Sequence, residues 1–246
     1  MYSLNLSRVM MNLDDYRFKL RDKNSRFKDR LFKEHVTSDL VETGGLFLSL
    51  AKPDIEIATL IDHELRKRKS LERTSENVEA CKEIQNAFKK ANIKPIEWLF
   101  RARVRLRTLH NAPDGFGTFS TYVILLDWLD KNNNYGVYVG QTRQLPEDRF
   151  AQHKRGENAG RNVEDRGIQL LWSLMPYADN LLKANTRRMY EGAVHHCLAS
   201  VKADGFKKGL LKVGGDGKNE NPDEWPAGYQ NKLRKFLNGF QKRNEH

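Results

Sequence analysis

Two segments rich in β-branched and aromatic residues lie near the middle of the chain and constrain its fold more than any other feature. The first, FSTYVILLDW, covers residues 119–128, and the second, YGVYVG, covers residues 135–140. Both compositions are typical of buried strands. The polar run KNNN between them, at residues 131–134, is typical of a turn. The sequence therefore predicts a β-hairpin over residues 118–140.

The segment after the hairpin is predicted to be helical. Pro146 suits the first position of a helix, and the two acidic residues that follow it favour a helix N-terminus. We expect this helix to run to about Arg155. A third strand, IQLLWSLM, is predicted over residues 168–175, and a long helix over residues 179–200. Together these elements predict an α+β fold, in which a small antiparallel three-stranded sheet is flanked by helices.

The first 95 residues are predicted to form a helical N-terminal region, because apolar side chains recur there at helical spacing among charged ones. Gly44-Gly45 is expected to break the chain within this region. Thr74 or Ser75 is expected to cap its clearest helix, which runs to about Ala91.

Two further regions complete the predicted organisation. Residues 96–203 contain the predicted sheet and its helices, and we expect them to form one domain. Residues 204–246 are predicted to be a basic C-terminal extension, with an amphipathic helix at about residues 229–243.

One arginine-rich stretch offers a candidate fourth strand at the edge of the sheet. Between residues 100 and 109, arginines alternate with apolar or neutral side chains, and they are Arg101, Arg103, Arg105 and Arg107. A period of two is typical of a strand with one apolar face and one charged face. Such charges can prevent edge-to-edge aggregation, or they can face phosphates, and the sequence leaves both interpretations open.

The net charge indicates the kind of partner. The chain of 246 residues has a formal net charge of +11 and a pI of about 9.6, which suits a polyanion such as nucleic acid. Only two cysteines occur, without the CxxC spacing typical of a zinc site. The N-terminus has no signal-peptide pattern, and no segment approaches the roughly 20 apolar residues of a membrane span. We therefore expect a cytoplasmic protein.

Residues 118–200 have the predicted order strand, strand, helix, strand, helix, and this segment resembles the GIY-YIG nuclease family. Ser120-Thr121-Tyr122 stands where the first family motif would be, and Tyr138-Val139-Gly140 matches the second. Arg149 and His153 follow with the four-residue spacing of the restriction-enzyme branch. Glu191 lies in the last predicted helix, where the family has its metal-binding glutamate.

The resemblance implies an endonuclease that hydrolyses DNA with one Mg²⁺ ion per site. Tyr122, Tyr138 and His153 would assist the attack of water, with His153 taking a proton from a tyrosine or from water. Arg149 would bind the phosphate and stabilise the transition state. Glu191 would hold the metal ion.

Further residues are candidates for contacts with nucleic acid. They flank the candidate site in sequence or belong to the arginine-rich stretch, and besides Arg101, Arg103, Arg105 and Arg107 they are Gln141, Thr142, Lys154, Arg155, Arg187 and Arg188. His195, His196 and Cys197 suggest zinc, but adjacent helical positions point in different directions.

Two other hypotheses stay open. The first motif lacks its glycine, which favours a non-catalytic DNA- or RNA-binding protein on the same scaffold. A helical interaction protein with a basic surface is the third hypothesis. If the chain cuts both strands of a palindrome, a homodimer or cooperating monomers would be needed.

Overall fold

The structure is a computed structural model, and it describes residues 13–22, 25, 28, 30–109, 118–132, 134–176, 187–206 and 208–219. The chain divides into two compact units, Met1–Phe100 and Arg101–His246. The first is helical in its described part, and the second contains the sheet. The predicted α+β class with a helical N-terminal region is therefore confirmed. Within the described residues, no helix has both the length and the apolar character needed to cross a bilayer.

The first unit contains four helices in its described part. Residues 13–21 are helical and are called α1, and three longer helices follow, which are α2 (Thr37–Ser49), α3 (Ile55–Leu71) and α4 (Ser75–Lys90). The Thr74 hydroxyl accepts the backbone N–H of Asn77 at 3.2 Å, so the predicted cap of α4 is confirmed. Asp54 caps α3 in the same way, through the N–H of Ile57 at 3.1 Å.

The predicted chain break at Gly44-Gly45 is wrong, because both glycines lie inside α2. A Cβ atom added to Gly44 would lie 2.5 Å from the Ile84 side chain and 3.2 Å from that of Ile61. These two isoleucines belong to α4 and α3. The glycine is therefore explained by close helix packing, which offsets its low helix propensity.

The arginine-rich stretch is a helix, so the predicted fourth strand over these residues is wrong. Helix α5 spans Leu99–Leu106, and a short 3₁₀ turn, Arg107–Leu109, follows it. Leu99, Ala102 and Leu106 are fully buried, and their spacing forms one apolar stripe of a helix. The same sequence fits the two-residue period of a strand and the 3.6-residue period of a helix. Burial of this apolar stripe favours the helix.

The arginines of α5 and of the 3₁₀ turn after it therefore point in different directions and do not form a phosphate-facing row. Arg101 is exposed, whereas Arg103 is buried. Arg105 donates a hydrogen bond to the Ser200 hydroxyl at 2.6 Å, and Arg107 is half-buried. Arg103 and Arg105 thus have contacts inside the protein, which a residue that only binds nucleic acid would not need.

The second unit is built on a four-stranded sheet with the order β3-β1-β2-β4. Strands β1 (Ser120–Leu126) and β2 (Gly136–Thr142) form the predicted hairpin, and β3 (Gly167–Leu170) pairs antiparallel with β1. β3 is shorter than predicted, because a 3₁₀ turn, Trp172–Leu174, follows it. The fourth strand is β4 (Val213–Gly214), which pairs parallel with β2.

In the described part of the second unit, four helices follow β1, and they are α6 (Leu129–Asn132), α7 (Pro146–Lys154), α8 (Val163–Arg166) and α9 (Arg187–Ala199). α7 begins at Pro146 as predicted and packs on β1 and β3, whereas α9 packs on β2, β1 and β4. A 3₁₀ turn, Asp216–Asn219, also packs against α9. The predicted start of the long helix and the predicted C-terminal helix lie outside the described residues.

Candidate active site

The register of the hairpin places the two motif tyrosines on one face of the sheet. Tyr122 lies opposite Gly140, and Tyr138 lies opposite Ile124, so the tyrosines are diagonal neighbours. Their ring centroids are 6.2 Å apart. A Cβ atom on Gly140 would lie 2.5 Å from the Tyr122 hydroxyl. The glycine of the second motif is thus required by the close approach of the Tyr122 ring.

A pocket of about 400 Å³ opens where these strands meet α7 and α9. It is polar, and its lining combines residues from five separate elements of the chain: Tyr122, Tyr138, Gly140, Gln141, Arg149, Arg188, Glu191 and Asp216. Four of the five predicted catalytic residues therefore converge on one cavity. The fifth, His153, is fully buried and contacts the rings of both tyrosines.

A short loop after α7, residues 156–160, holds two of these side chains through backbone groups. The Arg149 guanidinium donates to the carbonyl oxygen of Asn158 at 3.0 Å, and also to the Gln152 side chain at 3.1 Å. The N–H of Gly160 donates to Nδ1 of His153 at 3.0 Å. A Cβ on Gly160 would lie within 2.4–2.6 Å of the Tyr138 ring, so the loop also packs against the second tyrosine.

The hydrogen bonds of His153 determine which of its nitrogens carries the proton. Nδ1 accepts the N–H of Gly160, so Nδ1 is unprotonated. A neutral imidazole then has its hydrogen on Nε2. Nε2 lies 2.7 Å from the Tyr122 hydroxyl oxygen, and in this tautomer it donates to that oxygen. His153 has no lone pair available for a proton from Tyr122, which argues against the expected role as a base.

The pKa of His153 agrees with this assignment. Burial, assisted by the charge of Arg149, lowers the pKa of His153 from its usual 6.5 to about 4. The imidazole is therefore neutral at pH 7. Its function in the site is to donate a hydrogen bond to Tyr122 and to fix the orientation of that ring.

We expect His153 to make the free energy of unfolding depend on pH between about 4 and 6.5. The folded pKa lies below the unfolded one, so in this window the unfolded chain binds a proton that the folded chain does not. The free energy of unfolding should have its full value above pH 6.5. It should fall by about 3 kcal/mol as the pH drops to 4, because each unit of pKa difference corresponds to about 1.4 kcal/mol. Urea unfolding of the wild type and of His153→Gln across this range measures the effect. Identical pH dependence in the two proteins would contradict it.

The surroundings of both tyrosines favour their neutral form. Burial raises the pKa of Tyr122 well above its usual 10, the proximity of Tyr138 adds to this, and Arg149 opposes it. Burial raises the pKa of Tyr138 to about 12, and the negative charges of Glu191 and Asp216 raise it further. Either phenol therefore needs an additional cation before it can lose its proton near neutral pH.

Two carboxylates of the pocket are the side chains that could hold a hard metal ion. Glu191 is buried and lines the cavity, and Asp216, at the start of its 3₁₀ turn, lines it as well. Within the described residues no three His, Cys, Asp or Glu side chains are grouped as metal ligands. Two carboxylates suit Mg²⁺, which keeps several water ligands and shares phosphate oxygens with its substrate.

The other residues predicted to contact nucleic acid have varied surroundings. Gln141 and Arg188 line the pocket. Lys154 donates to the backbone carbonyl of Glu164, and Arg155 forms an ion pair with Glu157. The Thr142 hydroxyl accepts the N–H of Gln144 at 2.9 Å. The Arg187 guanidinium lies over the Phe119 ring.

Sequence reasoning missed Asp216 and the loop at residues 156–160. Asp216 follows Gly214-Gly215, and Gly215 has a φ of +114°, which a side chain would strain. The glycines around Asp216 were thus a signal of a backbone conformation with positive φ. The loop acts through carbonyl and N–H groups, which no side-chain motif reveals.

Comparisons of the chain with protein-family models, with curated proteins and with solved structures give no match.

Proposed function

We propose that the chain is a Mg²⁺-dependent DNA endonuclease with a core like that of the GIY-YIG nucleases. The observation that supports this most is the convergence of Tyr122, Tyr138, Arg149 and Glu191 on one polar pocket. These residues come from different strands and helices, so sequence proximity does not bring them together. Phosphodiester hydrolysis needs a cation at the phosphate, a group that activates water and help for the leaving oxygen.

In this proposal each side chain has a role that its surroundings permit. Arg149, held by the loop, binds the scissile phosphate and stabilises its developing charge. Glu191, together with Asp216, would hold Mg²⁺, and the bound ion would supply the positive charge that lowers the pKa of a nearby phenol or water. Tyr122 and Tyr138 line the space for the attacking water. His153 positions Tyr122 through Nε2–H.

Incubation of a panel of plasmids and long genomic DNAs with Mg²⁺ or with EDTA tests the proposal. We expect nicked or linear products only with Mg²⁺, and none from Glu191→Gln. Cleavage in EDTA, or equal cleavage by Glu191→Gln, would overturn the metal assignment. Intact DNA throughout, with structured RNAs also intact, would overturn the enzymatic role.

A non-catalytic DNA- or RNA-binding protein is the second candidate. It is favoured by the two tyrosines being neutral and by the absence of three grouped metal-ligating side chains within the described residues. Binding without cleavage over the same panel distinguishes it. If the protein cleaves both strands, we propose that it acts as a homodimer. We also propose a cytoplasmic location, because Cys81 and Cys197 are both free and buried.

A further inference from the structure

Two arginines meet on one aromatic ring at the end of the hairpin. The guanidinium carbon of Arg187 lies 4.3 Å from the centroid of the Phe119 ring, and that of Arg143 lies 4.7 Å from it. Phe119 is itself 5 % exposed, so the ring cannot stack on a nucleotide base. It serves as a platform that holds two like charges at fixed positions. We call Arg143 and Arg187 the arginine pair.

The arginine pair differs from other arginines of the chain in its electrostatic surroundings. Arg66, Arg68 and Arg166 each form an ion pair with a carboxylate. Within the part of the chain that the structure describes, neither member of the pair has such a partner, and Nε of Arg187 is buried without a hydrogen-bond acceptor. Two guanidinium groups near one ring repel each other, and a ring face does not satisfy their N–H donors. An anion with several oxygens would satisfy both needs.

The position of the pair relates it to the candidate active site. Arg143 follows the pocket residue Gln141 by two positions at the end of β2, and Phe119 directly precedes β1. Arg187 is the first residue of α9, directly before the pocket residue Arg188. Arg187 also precedes the pocket residue Glu191 by four positions, which places both on one face of α9. The pair is thus connected through β2 and α9 to residues that line the pocket.

We propose that the arginine pair binds the phosphate backbone of nucleic acid next to the phosphate that occupies the pocket. Guanidinium groups bind phosphate oxygens through two parallel N–H donors, and Phe119 reduces the conformational freedom that binding would otherwise cost. The inference rests on the proposed function for the nature of the ligand. It assigns to Arg143 a role that the sequence alone did not indicate.

Binding of a labelled duplex DNA in EDTA tests the inference without cleavage. The full-length wild type is compared with Arg143→Gln and Arg187→Gln by fluorescence anisotropy over a range of salt concentrations, and RNA duplex and single-stranded DNA serve as parallel probes. Lys202→Gln is the control: it removes the same charge from an exposed residue beyond the C-terminal end of α9. Arg187 is at the other end of that helix, which is about 20 Å long.

We expect each arginine variant to reduce the slope of log affinity against log salt by about 0.9 for duplex DNA, and to weaken binding about fivefold at 0.15 M salt. Lys202→Gln should match the wild type, and Arg187→Lys should restore the slope because it keeps the charge. Wild-type slopes in both glutamine variants would overturn the inference even if DNA is cleaved. Reduced slopes with no cleavage in Mg²⁺ would support it while the nuclease proposal fails. No binding of any probe by the wild type would overturn both.

Discussion

Replacing Arg149 by lysine should lower the rate of DNA cleavage by about 10²- to 10³-fold, the loss typical of removing one donor that stabilises a transition state. Lysine keeps the positive charge, so electrostatic attraction of DNA is preserved. It cannot hold a phosphate through two parallel donors while also bonding the Asn158 carbonyl and the Gln152 side chain. The measurement is the single-turnover rate at saturating Mg²⁺, beside the affinity for uncleaved DNA.

The matched control for this prediction is Arg66→Lys. Arg66 lies on α3 and is paired with Asp62 at 2.8 Å, so the same substitution there changes neither the pocket nor the net charge. We expect its cleavage rate to equal that of the wild type. If Arg149→Lys cleaves as fast as Arg66→Lys, the guanidinium has no role in stabilising the transition state.

Substitution of His153 separates a hydrogen-bond donor from a general base. Glutamine places an amide nitrogen near the position of Nε2, so it can still donate to the Tyr122 hydroxyl, and we expect His153→Gln to keep cleavage within about tenfold of the wild type. His153→Leu removes the donor and should cost about 10²-fold. It also leaves the N–H of Gly160 without its acceptor, which should lower stability by about 1–3 kcal/mol.

The pattern across the two variants decides the role of this histidine. A general base would be lost in both, at a cost of about 10²- to 10⁴-fold in each. Equal losses in His153→Gln and His153→Leu would therefore contradict the donor role and restore the role expected from the sequence. Cleavage rates corrected for the folded fraction, taken from urea unfolding, make the comparison valid.

The sequence predicted the side chains of the site because their positions follow from regular elements. The hairpin register places Tyr122 and Tyr138 on one face, and the helix that begins at Pro146 places Arg149 and His153 one turn apart. Such relations depend only on the period of a strand or a helix.

Where two periods fit equally, the sequence alone could not decide. The alternating arginines at residues 101–107 suggested a strand, while Leu99, Ala102 and Leu106 fitted a helix equally well. The choice depends on which apolar side chains find a buried environment, and that is a tertiary property. Gly44 is a similar case. A glycine is needed there because the Ile84 side chain, forty residues later, packs against it.

The backbone contacts of the site could not be predicted from sequence motifs, for a different reason. The proton position on His153 is set by the N–H of Gly160, and Arg149 is held by the carbonyl of Asn158. Every residue other than proline has these groups, so their use depends on loop geometry and leaves no characteristic residue. Asp216 also enters the pocket through tertiary structure, by way of the parallel pairing of β4 with β2.

The late position of β4 has a consequence for how the protein is made. The first three strands of the sheet, with Tyr122, Tyr138, Arg149 and His153, are complete by Leu170, whereas β4 is synthesised more than forty residues later. Until Val213 and Gly214 leave the ribosome, the outer edge of β2 has no strand beside it, and an open edge invites pairing with other chains. The part of this edge at Val137 and Tyr138 therefore stays open while α9 is synthesised, and Asp216 joins the pocket only after that segment is made.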